Sequence, residues 1–350
     1  MNYLFIDAPF DPDEREPRID TKKYYALSRY KGIPFKDPFD GIIQYFPSSR
    51  IKKDVLNIEP WLWAAPDPAY LDLLTPLSFI SFIDANGCLE YANYLCELIE
   101  KNNDKIPIMV GIDHSLTGGS IKAITHRIKN TDVSLIIFDS HFDAVTSDVR
   151  CGLIQYDIEN NPASIHNPYD PFIKNRVNSY NTDSFLNYIV KEEIIPFENI
   201  YVIGVSDYPP KAAFEIDDPR VRSYVDLYTG LIEEGITIIR NEDILKNNFN
   251  EKIKDISTSH VYISFDVDIC GNSSVYGARF MDGYVGLHEG DLRRVLLSIY
   301  KLARHGVKLA GIDISEIDIY TAGNKYRGKK DKTYSIFSSV LFDTLKYFSR

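Results

Sequence analysis

The chain has 350 residues, 44% hydrophobic and 25% charged, with a formal charge of -11. Such a composition belongs to a folded protein with a large core, not to a disordered or fibrous chain. The acidic balance argues against a fold-wide attraction to nucleic acid or to an anionic membrane, and no run reaches the roughly 20 apolar residues of a membrane span.

The opening residues, Met1 to Asp11, have neither the basic start nor the long apolar stretch of a signal peptide. Cys88, Cys96, Cys151 and Cys270 form no CxxC pair and suggest no disulfide framework. The expected compartment is therefore a reducing cytoplasm. Residues 2–8 read as a short buried strand. Residues 11–85 are irregular in pattern and rich in proline and aromatics, as in Glu59-Pro60-Trp61-Leu62-Trp63, and read as an N-terminal elaboration packed on the core.

From residue 87 helices and strands alternate. The apolar spacing predicts helices over 88–102, 120–129, 221–234, 242–254, 287–302 and 332–348. Strands are predicted over 106–110, 133–138, 200–205, 236–239, 260–265 and 307–314. Apolar strands separated by helices imply a mostly parallel sheet covered on both faces. The length would also accommodate two domains, but no break in composition marks a boundary, so residues 1–350 are expected to form one.

Chemistry-bearing residues cluster just after three of these strands. The segments are Gly111-Ile112-Asp113-His114-Ser115, Asp139-Ser140-His141-Phe142-Asp143 and Ser264-Phe265-Asp266-Val267-Asp268. If each strand end stays extended, side chains at i, i+2 and i+4 share a face, so Asp139, His141 and Asp143 converge, as do Asp266 and Asp268. Buried like charges at such spacing call for cations. The alternatives are a helix-capping aspartate with a satisfied histidine, and a solvent-facing acidic turn. Two histidines with four aspartates suit Mn²⁺ or Mg²⁺, with iron or cobalt as alternatives, better than zinc alone. Such carboxylates can bridge two ions about 3.5–4 Å apart and activate a water between them. Thr117-Gly118-Gly119-Ser120 looks like an anion nest, but its spacing is not that of a P-loop.

These segments resemble those of the ureohydrolase family, which holds the arginases, agmatinases and related guanidine hydrolases. The family pattern has a Gly-Gly-Asp-His-Ser, an Asp-Ala-His-x-Asp and a Ser-x-Asp-x-Asp segment. The resemblance spans roughly residues 106–318. It implies a three-layer α/β/α arginase-like fold with a mostly parallel central sheet and two Mn²⁺ ions. One ion would be held by His114, Asp139, Asp143 and Asp266. The other would be held by His141, Asp139, Asp266 and Asp268, with Asp139 and Asp266 bridging. Leu309-Ala310-Gly311-Ile312-Asp313-Ile314-Ser315-Glu316 resembles the family's last strand, so Glu316 is implied as the carboxylate that holds the substrate guanidinium. Asp143 would also orient the nucleophile.

The departures bear on the substrate. Val145 and Pro209 stand where arginases carry polar residues for the free ends of arginine, and Gly271-Asn272 replaces a common Asp-Pro. The loss fits a guanidine without a free amino-acid end, and peptidyl arginine converted to peptidyl ornithine is the leading expectation. An agmatinase-like or guanidino-acid hydrolase, a metal-dependent amide hydrolase, or a metal-binding scaffold are the alternatives. The family's proton-shuttling histidine has no clear equal. His166 and His288 are candidates for that catalytic role, and His288 serves equally well as a helix cap. The stretch that aligns best, Ser179 to Phe185, has no histidine. The resemblance further implies a closed homo-oligomer. The polar loop from Tyr320 to Asp331, with Lys325, Arg327, Lys329 and Lys330, is expected at the periphery, because basic residues would repel a guanidinium.

Overall fold

Eight strands, all paired in parallel, form the central sheet of the computed structural model, which describes residues 2–46, 51–254, 256–271, 275–280, 286–326 and 328–349. They are β1 (Tyr3–Ala8), β2 (Lys53–Val55), β3 (Ile106–Gly111), β4 (Val133–Phe138), β5 (Ile200–Val205), β6 (Thr237–Arg240), β7 (His260–Asp266) and β8 (Lys308–Ser315). The order across the sheet is β2-β1-β3-β8-β7-β4-β5-β6. The helices are α1 (Glu16–Leu27), α2 (Pro38–Ile43), α3 (Pro76–Asp84), α4 (Gly87–Glu100), α5 (Leu116–Thr125), α6 (Ser147–Asn160), α7 (Phe185–Lys191), α8 (Pro219–Glu233), α9 (Asn241–Leu245), α10 (Asn250–Lys254), α11 (Glu289–Arg304) and α12 (Thr333–Phe348).

The strands are apolar on both faces because both are covered. On β4, Val133, Leu135 and Ile137 join a core with α3, α4, α5 and α7. Ile136 and Phe138 point the other way, into a core with α2, α11 and α12. This is the expected three-layer α/β/α arrangement. Since every strand runs in the same direction, the ends of β3, β4, β5, β7 and β8 meet along one edge. Late strands β7 and β8 fill the gap between β3 and β4, which places a crevice at the point where the strand order reverses.

Several sequence expectations change here. Residues 11–85 are not simply laid on the core, since β2 extends the main sheet beside β1, with Phe5 opposite Lys53. Helices α1 and α6 carry no apolar stripe and so left no period in the sequence. Helix α1 buries Ile19, Lys22 and Ala26, and α6 buries only Ser147 and Cys151. The helix expected over 242–254 is two short helices, broken where Asn247 takes a left-handed φ of 62°. Helix α5 begins at Leu116, earlier than expected, and its glycines form no anion nest. A Cβ on Gly119 would run into the Ala92 carbonyl of α4, and one on Gly118 into the Tyr180 hydroxyl, so both serve close packing.

All four cysteines are buried and free. Among the described residues no helix is long and apolar enough to cross a membrane. The 320–331 loop holds a small hairpin, Lys325–Tyr326 against Lys329–Lys330, anchored by buried Asp331, which accepts from the backbone N–H groups of Gly323 and Thr333. Arg327 of that loop and Asn272 lie outside the described residues.

Candidate metal centre and substrate cavity

His114 follows β3 by three residues and is fully buried beside the Phe185 ring. Its Nε2 lies 2.8 Å from the Ser264 hydroxyl, which donates to Asp313 Oδ1 at 2.6 Å. A hydroxyl has one proton. With that proton on Asp313, Ser264 accepts from Nε2–H, and the Nδ1 lone pair of His114 is left for a metal. That Nδ1 faces Asp143 Oδ2 at 2.9 Å, Asp139 Oδ2 at 3.1 Å and Asp266 Oδ2 at 3.6 Å. Next to this group, His141 Nδ1 lies 2.7 Å from Asp268 Oδ2 and 3.6 Å from Asp139 Oδ1. Two triads result: His114, Asp139 and Asp266, and Asp139, His141 and Asp268, with the ligand atoms of each within 4.8 Å of one another. Asp139 is common to both, and Asp266 falls in the first.

The convergence is present, but not through extended strand ends. Strand β4 ends at Phe138, and Asp139 Oδ1 accepts from the His141 backbone N–H at 2.6 Å, which tightens the chain into a turn. Asp143 then takes a left-handed φ of 50°. After β7, residues 267–269 form one turn of 3₁₀ helix capped by Asp266. Turn geometry, not strand alternation, aims these carboxylates. Glu316, at the end of β8, is also left-handed, with φ 61°. Such strain in two non-glycine residues of one site is characteristic of functional positions.

The electrostatics fit a binuclear metal centre. His114 Nδ1 and Asp139 Oδ2 are both buried, face each other, and have no hydrogen-bond partner among the described residues. Burial and the Asp139 charge push Asp143 well above the usual carboxylate range, while burial and the Asp268 charge do the same to Asp266. Burial would also raise Asp139, but the two imidazoles beside it outweigh that and hold it at about 2. His114 is raised in turn by Asp139 and Asp143, against its burial. Protons are thus drawn into a site whose carboxylates pair with no lysine or arginine among the described residues. Two divalent cations would neutralise its four carboxylates.

A cavity of about 430 Å³ opens beside this centre. His141, Asp143 and Asp266 line one end, with Glu316 and Thr182 on the wall. Val145, Leu153, Ile154, Phe172, Tyr224 and Phe280 supply apolar surface, while Arg15, Arg150, Asp183, Asp207 and the exposed His166 complete the lining. Glu316 is buried. Its Oε1 accepts from Thr182 Oγ1 at 3.0 Å, and Oε2 has no hydrogen-bond partner among the described residues. Burial pushes Glu316 up to about 8, against the opposing charge of Arg279. Burial also raises Asp207, to about 6.

His288 is exposed at the start of α11, makes no side-chain cap hydrogen bond there, and does not line the cavity. Pro209 is buried and does not line it either. Thr182 of the histidine-free 179–185 stretch does reach the cavity. The sequence reading also missed Asp313, three residues before Glu316 on β8, and Arg279 next to Glu316. For Asp313 the available signal was a carboxylate inside an otherwise apolar strand.

An α/β/α sheet with two metal triads at its strand ends defines a metal-dependent hydrolase with a binuclear site of the ureohydrolase kind. The chain belongs to the arginase family, whose family model matches residues 82–322, more than half of its length. No curated protein is similar enough in sequence to match. Among solved structures, formimidoylglutamase from Bacillus subtilis subsp. subtilis str. 168 is similar, with a TM-score of 0.55 and 18% identity, covering 99% of this chain and 86% of that one. The proclavaminate amidino hydrolase of Streptomyces clavuligerus gives a TM-score of 0.56 at 15% identity, covering 99% and 91%. Arginase from Bacillus cereus gives 0.54 at 15% identity, covering 97% of each chain. At these identities the likeness concerns the fold.

Proposed function

We propose that the protein hydrolyses a small guanidino or amidino compound, a guanidine giving urea and an amine, and that its two ions are manganese. The observation that carries this reading is the unpartnered Oε2 of buried Glu316, which lines the same cavity as the metal-centre residues His141, Asp143 and Asp266. When bound, the ions would supply an activated water and polarise the carbon it attacks. The chain's own residues do the rest. Glu316 holds a planar N–H group by a charge-assisted hydrogen bond. Asp143, bent into the cavity, orients the nucleophile. The apolar wall from Val145 to Tyr224 takes the substrate's carbon chain and excludes water from it. The leaving nitrogen needs a proton, and of the two histidines proposed for that task His166 lines the cavity.

A small substrate is favoured over the peptidyl arginine expected from the sequence. The cavity has the volume of a small-molecule pocket. The names of two structural relatives, formimidoylglutamase and proclavaminate amidino hydrolase, also point to small amidino compounds. A closed homo-oligomer remains part of this proposal on family likeness, to be read from light scattering. The central test is product release by manganese-loaded protein across agmatine, guanidino acids, arginine and arginine-containing peptides. With two ions bound per chain, no turnover of any guanidine or amidine would reject the reading. Turnover of peptides alone would replace the small substrate by a peptidyl one. E316A should keep its metals and lose about a hundredfold or more in kcat/KM, the cost of an unpaired buried cation in the bound complex.

A further inference from the structure

Next to Glu316, lining a small adjoining pocket and not the large cavity, stands Arg279. Its side chain is 2% exposed and is surrounded by carboxylates. Nη1 lies 2.8 Å from Asp113 Oδ2 and 3.4 Å from Glu316 Oε1, while Nε lies 3.3 Å from both Asp11 Oδ1 and Asp13 Oδ2. The backbones are joined as well. The Arg279 N–H donates to the Glu316 carbonyl at 2.8 Å, and the Glu316 N–H donates to the Ile112 carbonyl at 2.8 Å. The left-handed residue 316 is therefore held from both sides. Glu316 lines the cavity and Arg279 does not. On the carboxylate itself, Oε1 is taken by Arg279, Thr182 and the His114 backbone N–H, and Oε2 is left over.

We infer that Arg279 is a positioning residue: it grips one oxygen of Glu316, so that the other alone is presented to a cationic amidine or guanidine. This rests on the hydrolase reading above. The same guanidinium ties Glu316 to Asp11 and Asp13, so the start of the N-terminal segment becomes the outer support of the substrate carboxylate. The substrate then meets Glu316 through a single oxygen. A planar fork that needs both oxygens would have to displace Arg279.

The test uses the two-metal protein and butyramidine, an alkylamidine cation, with affinity read by calorimetry. Metal content and melting temperature are checked in each variant. In Arg279→Met the expected result is intact metal content with butyramidine bound about tenfold more weakly, and with KM raised more than kcat is lowered for the best substrate. Arg279→Lys keeps the charge but not the fork and should fall between wild type and Arg279→Met. Wild-type affinity in a folded Arg279→Met would overturn the inference and make Arg279 a purely structural ion pair. If Arg279→Met does not fold, wild-type affinity in Arg279→Lys overturns it and weakened affinity supports it. If the wild type itself binds no butyramidine, the guanidine reading has failed, and the inference falls with it.

Discussion

Two clusters of buried carboxylates lie side by side in this molecule and are neutralised in opposite ways. At the strand ends, Asp139, Asp143, Asp266 and Asp268 gather around two imidazoles, and among the described residues no lysine or arginine pairs with them. A few residues away, Asp11, Asp13, Asp113, Asp318 and Glu316 are met by Lys22, Arg15, Arg18 and Arg279. The second cluster has five carboxylates against four cations and closes on itself but for one charge. The first has no cation of its own. A chain that folds around four unmatched carboxylates has left their neutralisation to ions from solution, whereas the other cluster is framework. Glu316 belongs to the framework through one oxygen and to the cavity through its other.

The largest effect that would break this contrast is at Asp139, the aspartate common to both triads. Asp139→Asn should remove most bound metal and lower activity by roughly three orders of magnitude or more, with metal analysis and turnover read on one preparation. Retention of both ions would mean that the triads are not the metal site. In the framework, Lys22 is fully buried, 3.1 Å from Asp11 Oδ2 and over the Phe79 ring. Lys22→Met leaves Asp11 with Arg279 at 3.3 Å and should cost about 1–3 kcal/mol in urea denaturation, with the metal-binding stoichiometry of the folded protein unchanged. Metal loss in folded Lys22→Met would dissolve the distinction between the two clusters.

Ser264 sharpens the contrast further, since it holds the His114 tautomer without touching an ion. Ser264→Ala should weaken metal affinity about 10–100-fold, measured by competition with a chelator. An unchanged affinity would show that Ser264 does not set the tautomer. The smallest effect concerns a third group, Asp7 with Asp37 and Lys53 at the sheet edge. Burial and the Asp37 carboxylate push Asp7 up to about 8, against the pull of Lys53 at 2.9 Å. A raised folded-state value means that this contribution to stability is full below the ordinary carboxylate range and is lost as pH rises through about 8. Urea titrations at pH 5 and pH 9 should show the wild type losing more stability than Asp7→Asn. Equal losses would mean that Asp7 is ionised throughout.

The sheet was legible because covered parallel strands are apolar on both faces, and β4 and β5 matched residue for residue. The residues around the metal centre were legible as residue types, and the fold brings them together. Their convergence does not come from extended strand ends. Asp143 and Asp268 reach the site through turns, and a turn with a left-handed aspartate leaves no periodic trace. Helix α1 was illegible because it buries Lys22 rather than an apolar stripe. Arg279 was illegible because its meaning depends on Asp11, Asp13 and Asp113, three positions far away in the chain and carrying no pattern with it. His288 and His166 were both candidates for the proton shuttle, and only the folded surface separates an exposed helix start from a cavity wall.

Strand β8 has a consequence for how the molecule comes into being. It sits between β3 and β7, pairing Ile108 with Ile312 on one side and Ser264 with Asp313 on the other, yet it is the last strand of the sheet to be synthesised. Until residues 308–315 leave the ribosome, the nascent chain carries two exposed sheet edges where its centre should be. The pairing of β3 with β8 spans most of the sequence, so closing it demands a long loop and a slow search. Asp313, which accepts from Ser264, and the cavity carboxylate Glu316 arrive with this same strand. Sheet closure and completion of the site are therefore one event, and a chain interrupted before β8 has neither.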